Sequence, residues 1–210
     1  NPRVMTVHFI DVGQGDATLI TTPLGKTILI DAGPRTNITQ DLGALIPIAN
    51  RRIDFLVLTH PDLDHIGGMV NVVDQFDITT VLHSGLTVGS QLYAQIFKEL
   101  EHAQIIAAQV GRVFTLEHGV TLEVLHPYSG YESYDTNDHS TVIKITHEEN
   151  TLLITGDAPK IIEQNIAQAF GEDIDVDILK VGHHGSNTST SKIFIESTTP
   201  DLAILSYGCN

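Results

Sequence analysis

Residues 53–58, Ile-Asp-Phe-Leu-Val-Leu, run apolar and open directly onto Thr59-His60-Pro61-Asp62-Leu63-Asp64-His65-Ile66-Gly67-Gly68. A short apolar, β-branched run of this kind reads as a buried strand, and the C-terminal ends of strands are where open α/β sheets collect ligands. Four metal-competent side chains follow within six residues: His60, Asp62, Asp64 and His65. Pro61 and the Gly67-Gly68 pair keep the segment turn-like, so imidazoles and carboxylates can converge on a point that an extended strand would spread over two faces. The segment predicts a metal centre, of the two-metal kind, on an α/β scaffold.

Composition narrows the partners. The 210 residues fit one domain over 1–210, large enough to bury a core. Eleven Lys and Arg against 26 Asp and Glu give a formal charge of −15, which repels a phosphate backbone and argues against sequence-specific nucleic-acid binding. The single cysteine, Cys209, leaves no internal disulfide and excludes thiolate zinc ligation as the main chemistry. No apolar run reaches the length of a membrane span. The chain opens on Asn1-Pro2-Arg3 without an initiator Met or a signal core, and its last apolar run, 202–205, reads as a strand with nothing after it to cover its edge. The expectation is a cut or processed chain that natively continues past Asn210.

Hydrophobic periodicity predicts strands at 4–10, 17–21 and 27–30, a helix at 40–49, the strand before His60, a helix at 69–74, a strand at 79–82 and a helix at 90–104. The second half turns β-rich, with strands at 105–108, 112–115, 120–125, 141–146 and 151–155, a helix at 160–170, a strand at 177–181, a short helix at 191–196 and the strand at 202–205. Strand groups flanked by helices in this order predict a four-layer αββα sandwich of class α/β. Residues 127–138, rich in Tyr, Ser, Gly and Asp, read as a long loop of the sort that serves a site.

Three more segments end in ligand-competent residues: the strand 152–155 leads into Gly156-Asp157, the strand 178–181 into Gly182-His183-His184-Gly185-Ser186, and the Tyr-rich loop into Asn137-Asp138-His139-Ser140. Together with His60-x-Asp62-x-Asp64-His65 these segments resemble the metallo-β-lactamase-fold hydrolases. Phe9-Ile10-Asp11-Val12-Gly13-Gln14-Gly15-Asp16-Ala17, Ile30-Asp31-Ala32-Gly33 and Leu125-His126-Pro127 resemble one branch of them, the hydrolase domain of ComEC-type DNA-internalisation proteins and its secreted relatives.

The resemblance implies two divalent metal ions, Zn²⁺ or Mn²⁺, with His60 and Asp62 at the first, Asp64 and His65 at the second, and Asp157 bridging them. The last ligand is His183 or His184; His183 is favoured because its strand delivers it first, leaving His184 to face substrate as a catalytic group. Asp62 stands where many members carry a His, which hardens the first site toward Mn²⁺. His139 is a candidate third protein ligand there. Asp64 is assigned a second role, orienting the attacking hydroxide. Asp31 is expected to fix a ligand imidazole, and Thr59 or Ser186 to hydrogen-bond substrate.

The implied reaction is phosphodiester hydrolysis by a metal-activated hydroxide, on DNA and single-stranded DNA first, outside the cell or at its surface. A small phosphoester such as a phosphorylcholine substituent is the alternative substrate, and a metal-binding partner module with decayed catalysis the alternative class. Blander roles compete at single residues. Asp157 precedes a good helix start and could be a turn residue. Gly13-Gln14-Gly15-Asp16 lacks the Lys-Ser/Thr of a P-loop and reads as a tight turn. His8, His83, His102, His118, His126 and His147 default to surface or core, the three loop tyrosines to packing, and the acidic run 172–177 to a solvated turn.

Overall fold

The computed structural model describes residues 4–34, 37–86 and 89–208; Cys209 lies outside them. Two compact units divide the chain, residues 1–107 with 208–210 and residues 108–207, and each is built on one six-stranded mixed sheet. No helix among the described residues is long and apolar enough to cross a membrane.

The first unit holds, in spatial order, β1 (Thr6–Phe9), β2 (Thr18–Thr21), β3 (Thr27–Ile30), β4 (Arg52–Leu58), β5 (Asp77–His83) and β6 (Gln104–Ala107). The first three strands form an antiparallel meander, turned between β2 and β3 at Gly25, whose φ of 87° suits a residue without Cβ. From β3 onward pairing is parallel, so each connection must cross over, and helices supply the crossings. They are α1 (Ile38–Leu45) before β4, α2 (Leu63–Ile66) and α3 (Met69–Gln75) before β5, and α4 (Gln91–Glu99) before β6. Register aligns Leu19, Leu29, Leu56 and Val81 across four strands, and this row packs with Ile38, Leu42, Met69, Val72 and Ile96 of the helices. Burying such side chains contributes about 1.5 to 3 kcal/mol each.

Two predicted helices end early. Helix α1 stops at Leu45 rather than 49, because Pro47 forces Ile46 into extended geometry, φ −102° and ψ 120°. Helix α4 stops at Glu99, and Gln104 joins β6, where its backbone pairs opposite Thr80. The segment expected to stay turn-like after His60 contains the one-turn helix α2, with Asp62 at its N-cap position.

The second unit orders its strands as β12 (Leu202–Ile204), β11 (Ile178–Lys180), β10 (Asn150–Ile154), β9 (Val142–His147), β8 (Val120–His126) and β7 (Val113–Glu117). It repeats the plan of the first: antiparallel from β7 to β10, then parallel to β11 and β12 across α5 (Lys160–Phe170) and α6 (Lys192–Thr198). Leu153 and Leu179 sit in register and pack with Ile162, Ile166 and Phe194 of those helices. In each unit the parallel strands therefore release their polar residues at C-terminal ends.

Candidate functional site

In the first unit β3 and β4 end side by side, Ile30 opposite Val57, which delivers Asp31 and the pair Thr59-His60 to one edge of the sheet. Asp31 takes the left-handed conformation at φ 56°, which an Asp tolerates better than most residues. Its buried carboxylate accepts from the Thr59 backbone N–H at 2.9 Å, the Thr59 hydroxyl at 2.6 Å and His65 Nδ1 at 2.7 Å. The Thr59 hydroxyl has one proton and gives it to Asp31, so toward His60 Nδ1, 3.1 Å away, it can only accept. Both imidazoles thus carry their proton on Nδ1 and their lone pair on Nε2, the arrangement of a metal-ligating histidine held by a carboxylate.

The ligand loop is pinned from beneath by glycines. A Cβ on Gly15, at φ 136°, would lie 2.2 Å from the Asp64 carbonyl oxygen, and one on Gly67 would lie 2.6 Å from the Leu63 carbonyl. Backbone bonds from Asp16 to Asp64, from Ala32 to His65 and from Gly33 to Asp16 knit the three segments together. His60 Nε2 lies 3.8 Å from Asp62 Oδ2, and Asp64 and His65 offer ligand atoms within 4.8 Å of each other. His60 and His65 are buried, while the Asp62 side chain is 37% exposed. Thr59 is fully buried against Asp31, so it orients imidazole in place of the expected contact with substrate.

In the second unit β10 delivers Asp157 through Gly156, and β11 delivers the histidine pair. Ser140 Oγ accepts the Asp157 N–H at 3.1 Å, tying the middle loop to this carboxylate. His183 and His184 are both left-handed, at φ 47° and 52°, followed by Gly185 at 76°. Consecutive non-glycine residues there store strain that persists only where the surroundings enforce it, a habit of functional sites. His184 Nδ1 meets the Ser206 carbonyl at 3.2 Å, and a carbonyl only accepts, so the proton sits on Nδ1. Thr188 gives its hydroxyl proton to Ser186 Oγ and accepts from His183 Nδ1 at 2.9 Å. Both Nε2 atoms again bear lone pairs, 3.6 Å (His184) and 3.9 Å (His183) from Asp157 Oδ2.

The expected order of the two histidines is reversed. The His184 side chain is 6% exposed and nearer Asp157, whereas that of His183 is 30% exposed. The αL turn at both residues swings the second ring inward, which strand order alone does not foresee. His139 donates Nε2–H to the Ser133 carbonyl at 3.1 Å and lies edge-on to Tyr131, so only its Nδ1 retains a lone pair for a metal. Ser186 supports His183 through Thr188. His126 is fully buried, donates Nε2–H to the Asp138 carbonyl at 2.8 Å, and burial lowers its pKa to about 4. Sequence reasoning missed Thr188 and Ser206, which no local signal marks. It named Gly15 and Ser140 without their tasks, although a Gly in a loop already read as a tight turn hinted at close backbone approach.

Within each unit the donors are imidazole nitrogens and carboxylate oxygens, which suit Zn²⁺, Mn²⁺ or iron rather than a soft thiolate-bound metal. Over 207 residues the chain is 33% identical to Recombination protein 2 of Haemophilus influenzae, with 96% of this chain and 24% of that protein covered. It is 32% identical over 212 residues to Competence protein ComA of Neisseria gonorrhoeae, with 99% and 27% covered. The chain thus spans about a quarter of the length of these curated relatives. The crystal structure of CmlA, a diiron β-hydroxylase from Streptomyces venezuelae, matches its fold at a TM-score of 0.59 and 15% identity, over 95% of this chain and 44% of that one. The model of the metallo-beta-lactamase superfamily matches residues 10–208, every strand but β1 with the flanking helices, and this chain belongs to that superfamily, with its α/β sandwich fold.

Proposed function

We propose that this chain is a divalent-metal-dependent phosphodiesterase that cleaves DNA, single strands by preference, at the cell surface or outside it. The observation that carries the reading is the shared proton arrangement of His60, His65, His183 and His184: each is held through Nδ1 and turns a lone pair outward on Nε2. A lone pair on Nε2 beside acceptor-only carboxylates is what a divalent cation binds, at His60 beside Asp62 and at His184 beside Asp157, and that of His183 is left for substrate. The competence names of the relatives support DNA as substrate.

In this reading His60 and Asp62 would hold one metal and Asp64 and His65 the second, with Asp157 and His184 as the remaining ligands. When bound, the metals lower the pKa of water toward neutrality and polarise a phosphoryl oxygen. The residues of the chain do the rest. Asp31 holds the proton on His65 Nδ1 and, through Thr59, on His60 Nδ1, so neither ring can turn its N–H toward the cations. Asp64 orients the attacking oxygen. His183, the more exposed of its pair, takes the substrate-facing role that strand order had given to His184; its Nε2 accepts a proton from the nucleophile and passes it to the leaving alkoxide. With a net charge of −15 the chain draws little affinity from phosphate contacts, so productive binding depends on the metals and turnover on short or flexible strands.

Turnover of bis-p-nitrophenyl phosphate, single-stranded DNA and nitrocefin after loading with Mn²⁺ or Zn²⁺ tests the reading. The first two should be cleaved, and Asp157→Ala should abolish both activities. Cleavage of nitrocefin alone, or of nothing in either metal form, would sink the phosphodiesterase.

A further inference from the structure

Lys180 is the single buried cation among the described residues, 1% exposed in a chain whose other described Lys and Arg reach solvent. Its neighbours make the placement odd. Val124, Ile143, Ile154 and Lys180 pair in register across four strands, so their side chains share one face, and all are buried. By pattern that row asks for an Ile or Leu at its end. Burying a lysine in an apolar row is costly unless the ammonium is engaged, and replacing such a group by an apolar residue of similar volume is commonly neutral or stabilising.

What the ammonium engages is informative. Lys180 Nζ donates to the Val181 carbonyl at 3.0 Å. The carbonyls on either side are gripped as well: Thr155 Oγ1 donates to the Lys180 carbonyl at 3.2 Å, and Ser189 Oγ to the Gly182 carbonyl at 2.7 Å. Three successive carbonyls, 180 to 182, are thus each held by a side-chain donor, and the next two residues are the left-handed His183 and His184. A Cβ at Gly182 would lie 3.0 Å from Thr155 Oγ1, so the strand end is also packed without slack. Strain at two consecutive residues needs an over-determined base, and the charge-assisted bond from Lys180 is the strongest of the three clamps.

We propose that Lys180 is a positioning residue for the metal centre: its buried ammonium clamps the Val181 carbonyl and so fixes the strained turn that presents His183 and His184. The inference rests on the metal-dependent reading above and adds a residue that touches neither metal nor substrate. It predicts a trade, because a residue kept for positioning at a cost in burial should yield stability when removed.

Lys180→Met, with the parent and Lys180→Arg beside it, is titrated calorimetrically with Mn²⁺ and with Zn²⁺ alone, melted, and assayed on bis-p-nitrophenyl phosphate. Expected for Lys180→Met are a Tm equal to or above the parent's, metal binding at least tenfold weaker in line with other supporting partners of ligands, and a kcat lowered by a similar factor with KM little changed. Lys180→Arg should recover part of both losses. A parent that binds no metal would overturn the metal-centre reading and this inference with it. A metal-binding parent matched in affinity and kcat by a folded Lys180→Met would overturn the inference alone. Should Lys180→Met fail to fold, the ¹⁵Nζ resonance of Lys180 in the parent is followed during metal titration. Linkage between clamp and centre must be reciprocal, so a shift supports the role and an unmoved resonance overturns it.

Discussion

The loop after β4 and the loop after β11 present the same chemistry by opposite means. The first is relaxed and dense: His60 and His65 answer to one buried carboxylate, Asp31, and Gly15 lets its backbone press against Asp64. The second is strained, with two histidines at positive φ whose rings are held separately by neutral groups, the Thr188 hydroxyl and the Ser206 carbonyl, above the backbone that Lys180 clamps. A charged hub concentrates the consequences of a mutation, while scattered neutral holds spread them out. The imidazole holds of the first loop should therefore fail together and those of the second one at a time.

The largest effect expected from that contrast is at Asp31. Asp31→Ala strands the Thr59 N–H, the Thr59 hydroxyl and His65 Nδ1 in a buried place, and should cost about 4 kcal/mol in urea unfolding along with measurable metal binding. Loss of under about 1 kcal/mol would mean that the hub is not the keystone of its loop. Next comes Gly15→Ala, where the added Cβ meets the Asp64 carbonyl at 2.2 Å and φ is 136°; destabilisation of about 3 kcal/mol is expected from strain and overlap together. An unchanged melting curve would show that the Asp64 segment yields easily.

Acid sharpens the comparison through the third ligand-bearing segment, the one containing His139. Buried His126, which anchors that segment at Asp138, has its pKa lowered from 6.5 to about 4. The unfolded chain therefore takes up this proton before the folded one does. Stability should fall as pH drops from about 6.5 and level off below about 4, by at most about 3 kcal/mol. His126→Gln should flatten that part of the stability–pH curve, and an unaltered slope would assign the acid sensitivity elsewhere. The smallest effect belongs to the scattered holds. Thr188→Val removes one hydroxyl from His183 and should cost under about 1 kcal/mol while lowering kcat a few-fold, read in the phosphodiester assay.

Sequence legibility follows the same division. The loop after β4 could be read because its physics is local: an apolar run ends, ligands crowd into six residues, and glycines punctuate them. Even the role of Asp31 was visible, since a strand ending in Asp-Ala-Gly offers its carboxylate at the sheet edge. Most strands showed for the same reason. Helix boundaries slipped where tertiary pairing or a proline overrode periodicity, as at Gln104 and Pro47. The inward turn of His184 was hidden, because nothing in Gly-His-His-Gly announces two left-handed histidines. The holds on that loop were hidden too: Thr188 lies five residues on from His183 and Ser206 twenty-two from His184, and neither belongs to a recognisable pattern.

The bond from His184 to Ser206 has a consequence for reading variation in such chains. The acceptor is a main-chain oxygen, which every amino acid supplies equally. Saturation mutagenesis should find position 31 intolerant and position 206 permissive, although both orient an imidazole. A map of tolerated substitutions would thus record only one of two equivalent supports, and the other would come to light only through peptide-bond chemistry, such as replacing the 206–207 amide by an ester.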